Sequence, residues 1–263
     1  MFMNDKSLIL DKIERDLSML FEIRKKYRPL VNQKRLISIA SPTRKPEYMC
    51  NIFENYMNQS YPNKELIVVL NNNSMNYNEW LDYSKRFPDV RIYQLDESVS
   101  LGECLNFAVK NSNGDYIAKL DDDDHYGVQY LFDMLTYFYC TEASIIGKTS
   151  VFIFFEALKQ LYLSGQNSFG YVLTAFGGTQ VIKREVFDEI SYQALNVSED
   201  RNFLQMCTKK GFKIYSGDPF NYTYMRHANY KNNTWGISDL DYVKLFGFQY
   251  VRDGWNAEDL ILA

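Results

Sequence analysis

Histidine and cysteine are scarce in this chain of 263 residues, which contains two histidines and four cysteines. The cysteines are dispersed without a CxxC pair, which excludes a zinc knuckle and argues against a disulfide framework in a chain of this length. No stretch approaches the roughly 18 consecutive apolar residues of a membrane-spanning helix. The first residues also lack the basic-then-apolar order of a signal peptide. We therefore expect a cytoplasmic protein, with at most a peripheral contact at the inner face of the membrane.

An excess of positive charge is also missing, since the formal net charge is −4. Nucleic-acid-binding chains usually carry a basic footprint, so no nucleic-acid partner is expected. Apolar side chains are plentiful, at 46% of residues beside 24% charged ones. This mixture is typical of a globular protein with a sizeable core and excludes a disordered or collagen-like chain.

The N-terminal region predicts a long amphipathic helix over residues 6–27. Ile13, Leu17 and Leu20 recur at helical spacing with charged residues between them, and Pro29 ends the pattern. Such a helix either packs on its own chain or pairs with a helix of a partner, so a homodimer stays open as the alternative to packing in cis.

From residue 35 the pattern alternates between short apolar strands and helices. The fully apolar run 64–71 is typical of a strand inside a parallel sheet. Alternation with short connections predicts an α/β fold with helices on both faces of the sheet. The predicted strands are 36–40, 64–71, 90–95, 115–121 and, later, about 151–155 and 169–176. The predicted helices are 46–59, 76–87, 101–111, about 182–190, 199–209 and a tail after residue 238.

Four consecutive aspartates, Asp121 to Asp124, end the predicted strand 115–121. Alternate side chains of extended backbone face the same way, so Asp121 and Asp123 project together. Like charges this close are costly unless a cation neutralises them or they point into water. Oxygen ligands at the carboxyl end of a strand suit Mg²⁺ or Mn²⁺, and ligands of open α/β sheets bind at that end. The alternative is a solvated acidic turn.

Two polar loops follow the first two strands. The loop 41–46 would line the same edge of the sheet as the aspartates, although its two prolines alone have a common structural use. Asn71 to Asn73 come after the second strand. An amide both donates and accepts hydrogen bonds and could read a nucleobase edge, although an Asx turn explains the same residues.

Acidic residues also begin the predicted helix 199–209, with Ser198 as its expected N-cap. Because carboxylates in a first turn complement the helix dipole, capping alone accounts for Glu199 and Asp200. His227 follows in a polar segment. It could supply a nitrogen ligand or a phosphate contact, although a lone histidine near a loop is more often neither.

In chain order, these segments resemble the family 2 glycosyltransferases of the GT-A fold. The resemblance spans about residues 35–230, and the ordered set is far more specific than any one segment. Four segments carry it: LISIASPTRKPEYMCNIFENYMNQSYPNKELIVVLNNNS, LGECLNFAVKNSNGDYIAKLDDDD, FGGTQVIKREVF and SEDRNFLQMCTKKGFKIY. It implies a mixed, mostly parallel central sheet flanked by helices. The expected organisation is a helical extension at 1–33, a GT-A domain at 34–236 and a helical tail at 237–263 packed on that domain.

The resemblance implies a metal site for Mn²⁺ or Mg²⁺. The DXD motif of the family falls on Asp121, Asp122 and Asp123. Asp123 is the expected direct ligand, Asp121 shares the metal or holds the donor ribose, and Asp122 also lies on the donor side. His227 resembles a late histidine that reaches the metal or the diphosphate in some members.

The resemblance also implies a nucleoside site and a catalytic pair. The family loop that holds the nucleoside falls on Pro42, Thr43 and Arg44. The residue that grips the base falls on Asn71 or Asn72, since the gap placement is ambiguous by one residue.

The late acidic pair of the family falls on Glu199 and Asp200. Asp200 is the expected base and Glu199 is expected to orient the acceptor, because an inverting transfer needs a carboxylate at the acceptor hydroxyl. The turn 177–179 matches the strip that flanks the acceptor.

Two departures from the family pattern concern the donor. Asparagine replaces the usual aspartates after the second strand, which puts the identity of the base in doubt. Cys104 and Leu105 fill the place of a basic residue that would offer a phosphate contact. The candidates to replace that contact are Arg44, Lys45, Arg226 and Lys231.

The expected function is that of a metal-dependent, inverting glycosyltransferase. It would move a sugar from a nucleotide-sugar, taken as a UDP-sugar, to a hydroxyl of a glycan or lipid-linked acceptor in surface polysaccharide synthesis. One alternative is a sugar nucleotidyltransferase, but such an enzyme usually has a glycine-rich basic loop where this chain has SPTRKP. The other is a non-catalytic scaffold that binds glycan or a partner enzyme. Asn71 to Asn73 and Cys104 favour that scaffold, whereas the aspartate run and Glu199–Asp200 oppose it.

Overall fold

The computed structural model describes residues 6–164, 167–229 and 236–256, and these form seven helices and thirteen strands. The helices are α1 (Lys6–Tyr27), α2 (Met49–Asn58), α3 (Tyr77–Ser84), α4 (Leu101–Lys110), α5 (Tyr130–Cys140), α6 (Glu199–Lys209) and α7 (Asp239–Phe246). The strands are β1 (Ile37–Thr43), β2 (Lys64–Leu70), β3 (Val90–Gln94), β4 (Tyr116–Lys119), β5 (His125–Tyr126), β6 (Ile145–Gly147), β7 (Phe152–Phe155), β8 (Gln160–Leu163), β9 (Gly170–Val172), β10 (Val181–Lys183), β11 (Ile214–Ser216), β12 (Tyr222–Arg226) and β13 (Gln249–Asp253). None of the helices in these ranges is long and apolar enough to cross a membrane.

The larger sheet has the strand order β3-β2-β1-β4-β10-β6-β11-β9. Strands β3, β2, β1 and β4 run parallel, and β10 is antiparallel to both of its neighbours. The prediction of a mixed, mostly parallel sheet is therefore confirmed. Because β1, β2 and β4 point the same way, their carboxyl ends meet at one edge, where polar loops can share a site.

Both faces of this sheet are covered by helices. Along β2, Leu66 and Val68 pack with α1, α2, α3 and α5, whereas Ile67 and Val69 pack with α4 and α6. A strand buried on both faces requires the continuous apolar run seen in the sequence.

Helix α1 packs on its own chain. The Arg24 guanidinium donates to both carboxylate oxygens of Asp133 on α5 at 2.8 and 2.7 Å, and Arg28 donates to the same carboxylate at 2.8 Å. Ile9 and Leu20 of the same helix are buried in the apolar core. The buried charges and the apolar stripe together favour packing in cis over pairing with a partner.

A smaller sheet has the strand order β13-β8-β7-β12-β5 and contains part of the C-terminal tail. The expectation of a helical tail is therefore wrong for residues 249–253. Strand β13 pairs with the open edge of β8, where the ring of Tyr250 meets that of Tyr162 with centroids 5.7 Å apart. This edge supplies backbone partners that a local helical pattern does not reveal.

Three other local predictions also need correction. The expected helix 182–190 is strand β10 followed by a 3-10 turn over Arg184–Asp188, because Val181 and Ile182 are buried between β4 and β6. The strand expected at 169–176 is confined to β9. Ser198 occupies the N-cap position of α6, but its φ is 61° and its side chain makes no capping hydrogen bond, so the expected side-chain cap is absent.

Candidate active site

A cavity of about 800 Å³ lies where the carboxyl ends of β1, β2 and β4 meet the start of α6 and the aromatic face of α7. Nine of the eleven predicted site residues line it: Pro42, Thr43, Arg44, Asn71, Asp121, Asp122, Asp123, Glu199 and Asp200. The other two, Asn72 and His227, do not line it. The tertiary structure therefore brings together segments that are more than 150 residues apart in the chain, and it does so through the shared edge of the sheet.

The aspartate run is not a solvated turn. The side chains of Asp122 and Asp123 are 12% and 19% exposed. Asp122 accepts a hydrogen bond from Thr43 Oγ1 at 2.6 Å, and Asp123 Oδ2 lies 2.5 Å from Lys45 Nζ. Burial and the neighbouring Asp123 raise the pKa of Asp122 to about 7, against the opposing effect of Lys45. The carboxylates of Asp122 and Asp123 therefore lie close together in the cavity wall. Their negative charges repel each other unless a cation is nearby.

The fourth aspartate has a structural role. Asp124 is fully buried and accepts hydrogen bonds from the Tyr222 hydroxyl at 2.5 Å and from the Met225 amide at 3.0 Å. Its own carbonyl oxygen accepts from Asn51 at 3.0 Å and from Asn55 at 2.9 Å. These bonds fix the turn that presents the first three aspartates to the cavity.

The predicted nucleoside wall is a connected set of hydrogen bonds. Arg44 Nε donates to Asn71 Oδ1 at 2.8 Å, and Asn71 Nδ2 donates to the Asp96 carbonyl at 2.7 Å. Asn72 instead accepts from the amide and hydroxyl of Ser74, which is an Asx turn. Of the two alternative base-binding positions, the structure places Asn71 in the cavity wall.

A lysine joins the aspartates to the acidic pair. Lys119 Nζ lies 3.0 Å from Asp121 Oδ1 and 3.6 Å from Glu199 Oε1, and the residue is 5% exposed. Burial opposes the charge on Lys119, but Asp121, Glu199 and Asp200 outweigh it and raise its pKa. Burial also raises the pKa of Glu199, while Lys119 acts in the opposite direction. One cation therefore compensates carboxylates on both sides of the cavity.

Two glycines separate these carboxylates. A Cβ at Gly177 would overlap Oδ2 of Asp200 and lie 3.0 Å from its Cγ. A Cβ at Gly178 would lie 2.7 Å from Oδ2 of Asp121 and 3.0 Å from the Tyr222 hydroxyl. The turn that resembles the acceptor strip is thus in contact with Asp200 through one residue and with Asp121 through the next.

His227 does not line the cavity but contacts Asp123, which does. Its Nε2 lies 3.3 Å from Asp123 Oδ2 and 3.1 Å from the Tyr48 hydroxyl, and its Nδ1 lies 3.2 Å from Glu156 Oε1. The hydrogen bond with Asp123 is the largest influence on this ring and raises the pKa of His227. A carboxylate on the second ring nitrogen is a common partner of metal-binding histidines.

Few side chains at this site could hold a divalent cation. Across the three described ranges, no three His, Cys, Asp or Glu side chains come together as a metal-binding group. Mg²⁺ sites that also bind substrate phosphates need only one or two protein carboxylates. Asp121 and Asp123 fit that second kind of site, in which the donor completes the coordination.

Several residues of this site were not assigned a role from sequence. Strand alternation could have identified Lys119, because residues two apart in a strand share a face and Asp121 lies two residues later. Tyr48 and the structural contacts of Asp124 carry no sequence signal. Arg226, one of the four candidates for the missing phosphate contact, is fully buried and pairs with Asp239 at 2.8 Å, which disfavours it for that contact. Lys231 lies outside the described residues.

The sequence profile described as "Glycosyl transferase family 2" matches residues 38–197, more than half of the chain. An "Uncharacterized glycosyltransferase" of Rickettsia felis (strain ATCC VR-1525 / URRWXCal2) is 32% identical over 105 residues. That alignment covers 40% of this chain and 17% of the relative, so the matched part of this chain covers less than a fifth of that protein.

Solved structures show the same fold. TarS 1–349 of S. aureus is 15% identical with a TM-score of 0.56, over 75% of this chain and 62% of that one. Its complex with UDP-GlcNAc is also 15% identical, with a TM-score of 0.57 over 80% and 64%. The mannosyltransferase PcManGT of Pyrobaculum calidifontis, in complex with GDP-Man and Mn²⁺, is 13% identical with a TM-score of 0.54 over 82% and 67%. The fold is that of the GT-A glycosyltransferases, and the chain belongs to glycosyl transferase family 2.

Proposed function

We propose that this protein is a metal-dependent, inverting glycosyltransferase. It moves a sugar from a nucleotide-sugar, with a UDP-sugar as the first candidate, to a hydroxyl of a glycan or lipid-linked acceptor in surface polysaccharide synthesis. The observation that carries the proposal is one cavity lined by Asp121 and Asp123 on the side of the strand ends and by Glu199 and Asp200 at the start of α6.

The donor side of the cavity suits a nucleoside diphosphate. Thr43, Arg44 and Asn71 form its nucleoside wall, and Asp121 and Asp123 would hold Mn²⁺ or Mg²⁺ against the diphosphate. Such a metal, when bound, neutralises the charge that develops on the leaving diphosphate. The UDP-GlcNAc bound by TarS and the GDP-Man and Mn²⁺ bound by PcManGT support this choice of donor and metal.

The acidic pair suits deprotonation of an acceptor. Asp200 is partly exposed to the cavity, where it can take the proton of an acceptor hydroxyl, and the buried Glu199 is placed to orient that acceptor. Aromatic rings of β12 and α7 complete this side of the cavity, which supports an acceptor with apolar sugar faces.

The test is calorimetric titration with UDP, GDP, CDP and TDP, each with and without Mn²⁺. We expect one nucleotide to bind in a metal-dependent way, and we expect Asp123→Ala to abolish that binding. Asp82→Ala is the matched control, since Asp82 is a 72% exposed aspartate on α3. Asp200→Asn should bind the nucleotide normally and lose sugar transfer.

Two outcomes would contradict the proposal. A folded protein that binds none of the four nucleotides would support the scaffold, and Asn71 would then explain the lost donor site. Release of pyrophosphate from a nucleoside triphosphate and a sugar phosphate would support the nucleotidyltransferase. Unchanged nucleotide affinity in Asp123→Ala would overturn the metal assignment alone.

A further inference from the structure

The predicted metal ligand Asp123 already has a cation of this chain against it. Lys45 Nζ lies 2.5 Å from Asp123 Oδ2 and 3.8 Å from Asp122 Oδ1. Its ammonium also lies 5.0 Å from the centroid of the Tyr48 ring. The side chain is 30% exposed and lines the same cavity as both aspartates.

This arrangement opposes a divalent cation at the same oxygen. A carboxylate-bound Mg²⁺ or Mn²⁺ lies about 2.0–2.2 Å from its oxygen ligand. An ammonium hydrogen-bonded to that oxygen would then lie within a few ångströms of the metal, where the two positive charges repel strongly. The metal and Lys45 therefore compete for Oδ2 of Asp123, and departure of Lys45 favours the metal.

Lys45 is the partner of Asp123 that is able to leave. His227 also contacts Asp123 Oδ2, but its ring is bonded to Glu156 and Tyr48 and the residue is 8% exposed. Lys45 lies in the loop after β1, and a lysine has a flexible four-carbon stem with three rotatable donors.

A diphosphate in this cavity would offer Lys45 a new anionic partner. Lys45 directly follows Thr43 and Arg44 of the nucleoside wall, and its amide donates to Thr43 Oγ1 at 3.1 Å. Its backbone therefore lies beside the proposed nucleoside wall, and its side chain extends to Asp123. A diphosphate attached to a bound nucleoside would lie between the two.

We propose that Lys45 competes with the divalent cation for Asp123 and transfers to the donor diphosphate when the donor binds. This inference rests on the proposed function for the identity of the donor. Its consequence is coupling: the donor draws Lys45 away from Asp123 and so strengthens metal binding, and by reciprocity the metal strengthens donor binding.

The test is calorimetric titration of Mn²⁺ alone, and then of Mn²⁺ with UDP or whichever of the four nucleoside diphosphates binds. Lys45→Met should bind Mn²⁺ alone about tenfold more tightly than the unmodified chain, since one competing ion pair is lost. The gain in Mn²⁺ affinity on adding the nucleotide should shrink in the same variant. Lys85→Met, which removes a 67% exposed lysine of another ion pair, should change neither quantity.

A charge-conserving variant separates competition from a structural effect. Lys45→Arg keeps a cation beside Asp123 and should retain the weak Mn²⁺ affinity of the unmodified chain. Equal or weaker Mn²⁺ binding by Lys45→Met, or no measurable Mn²⁺ binding by it, would overturn the inference. If no nucleotide binds any variant, the proposed function fails, while the titrations with Mn²⁺ alone still decide whether Lys45 competes at Asp123.

Discussion

Gly177→Ala is expected to disable the site while leaving the fold intact. The added Cβ would overlap Oδ2 of Asp200 and lie 3.0 Å from its Cγ and 3.4 Å from its Cβ. Gly177 does not have a positive φ, so alanine tolerates its backbone and the substitution tests space alone. The carboxylate of Asp200 must swing away by about 1 Å or more before the contact becomes an ordinary one, because close-packed interiors do not absorb such an overlap.

The size of the effect follows from this displacement. A group misplaced by about 1 Å can lose about 100-fold in rate, which corresponds to about 2.7 kcal/mol of transition-state stabilisation. The atoms that give way belong to the end of a flexible side chain. The free energy of unfolding should therefore fall by less than about 1 kcal/mol.

The assay is steady-state kinetics of sugar transfer, together with nucleotide affinity and thermal unfolding. We expect kcat to fall while nucleotide affinity and Tm stay close to their original values. Gly170→Ala is the matched control, since a Cβ there meets nothing within 4 Å and the φ of Gly170 is not positive. In an Asp200→Ala background, Gly177→Ala should cause no further loss.

Unchanged kcat in Gly177→Ala would refute the placement of Asp200 at the acceptor hydroxyl. A full further loss in the Asp200→Ala background would show that the alanine acts through another group. A large fall in Tm would show that the turn cannot adapt and that the overlap is not relieved by the side chain.

The remaining predictions concern buried charges. Arg226→Met removes a fully buried guanidinium that stacks 4.2 Å from the Tyr242 ring, so urea unfolding should show a loss of about 3 kcal/mol, and the KM for acceptor should rise with nucleotide affinity retained. Asp133→Asn leaves two arginines without their carboxylate, and we expect a loss of about 3–5 kcal/mol in the same measurement, whereas a change below about 1 kcal/mol would refute the role of this cluster in holding α1. Lys119→Met removes the cation that opposes burial at Glu199, so the pKa of Glu199 rises further. If Glu199 orients the acceptor as a carboxylate, the acidic limb of the kcat profile should move to higher pH, and an unmoved limb would show that ionisation of Glu199 does not limit transfer.

The fold was predictable from sequence where local pattern and burial agree. The helix 6–27 and the first four strands have one-sided or fully apolar patterns that tertiary packing preserves. Helix α5 was missed because its residues are buried nearly all round, which leaves no one-sided apolar stripe. The helix predicted over 182–190 was wrong for a different reason. Its first residues form a strand because they pair with β4 and β6.

The site was predictable in its acidic residues and less so in its cations. The local pattern placed Asp121 at the end of a strand and Asp200 at the start of a helix, and the family resemblance assigned both to one site. The partner of a lysine depends on which segments meet in the fold. Local spacing therefore predicts neither the Lys119–Glu199 pair nor the Lys45–Asp123 pair.

The sequence by itself determined the α/β class, the edge of the sheet that holds the aspartates, and the family. These follow from periodicity and from ordered motifs, which are properties of short segments. Only the tertiary structure decided that Asn71 rather than Asn72 lines the cavity, that Gly177 and Gly178 separate Asp200 from Asp121, and that lysines lie against the carboxylates. The physical reason is that ion pairs and steric contacts act over a few ångströms. Segments that are distant in the chain come that close only when the sheet assembles.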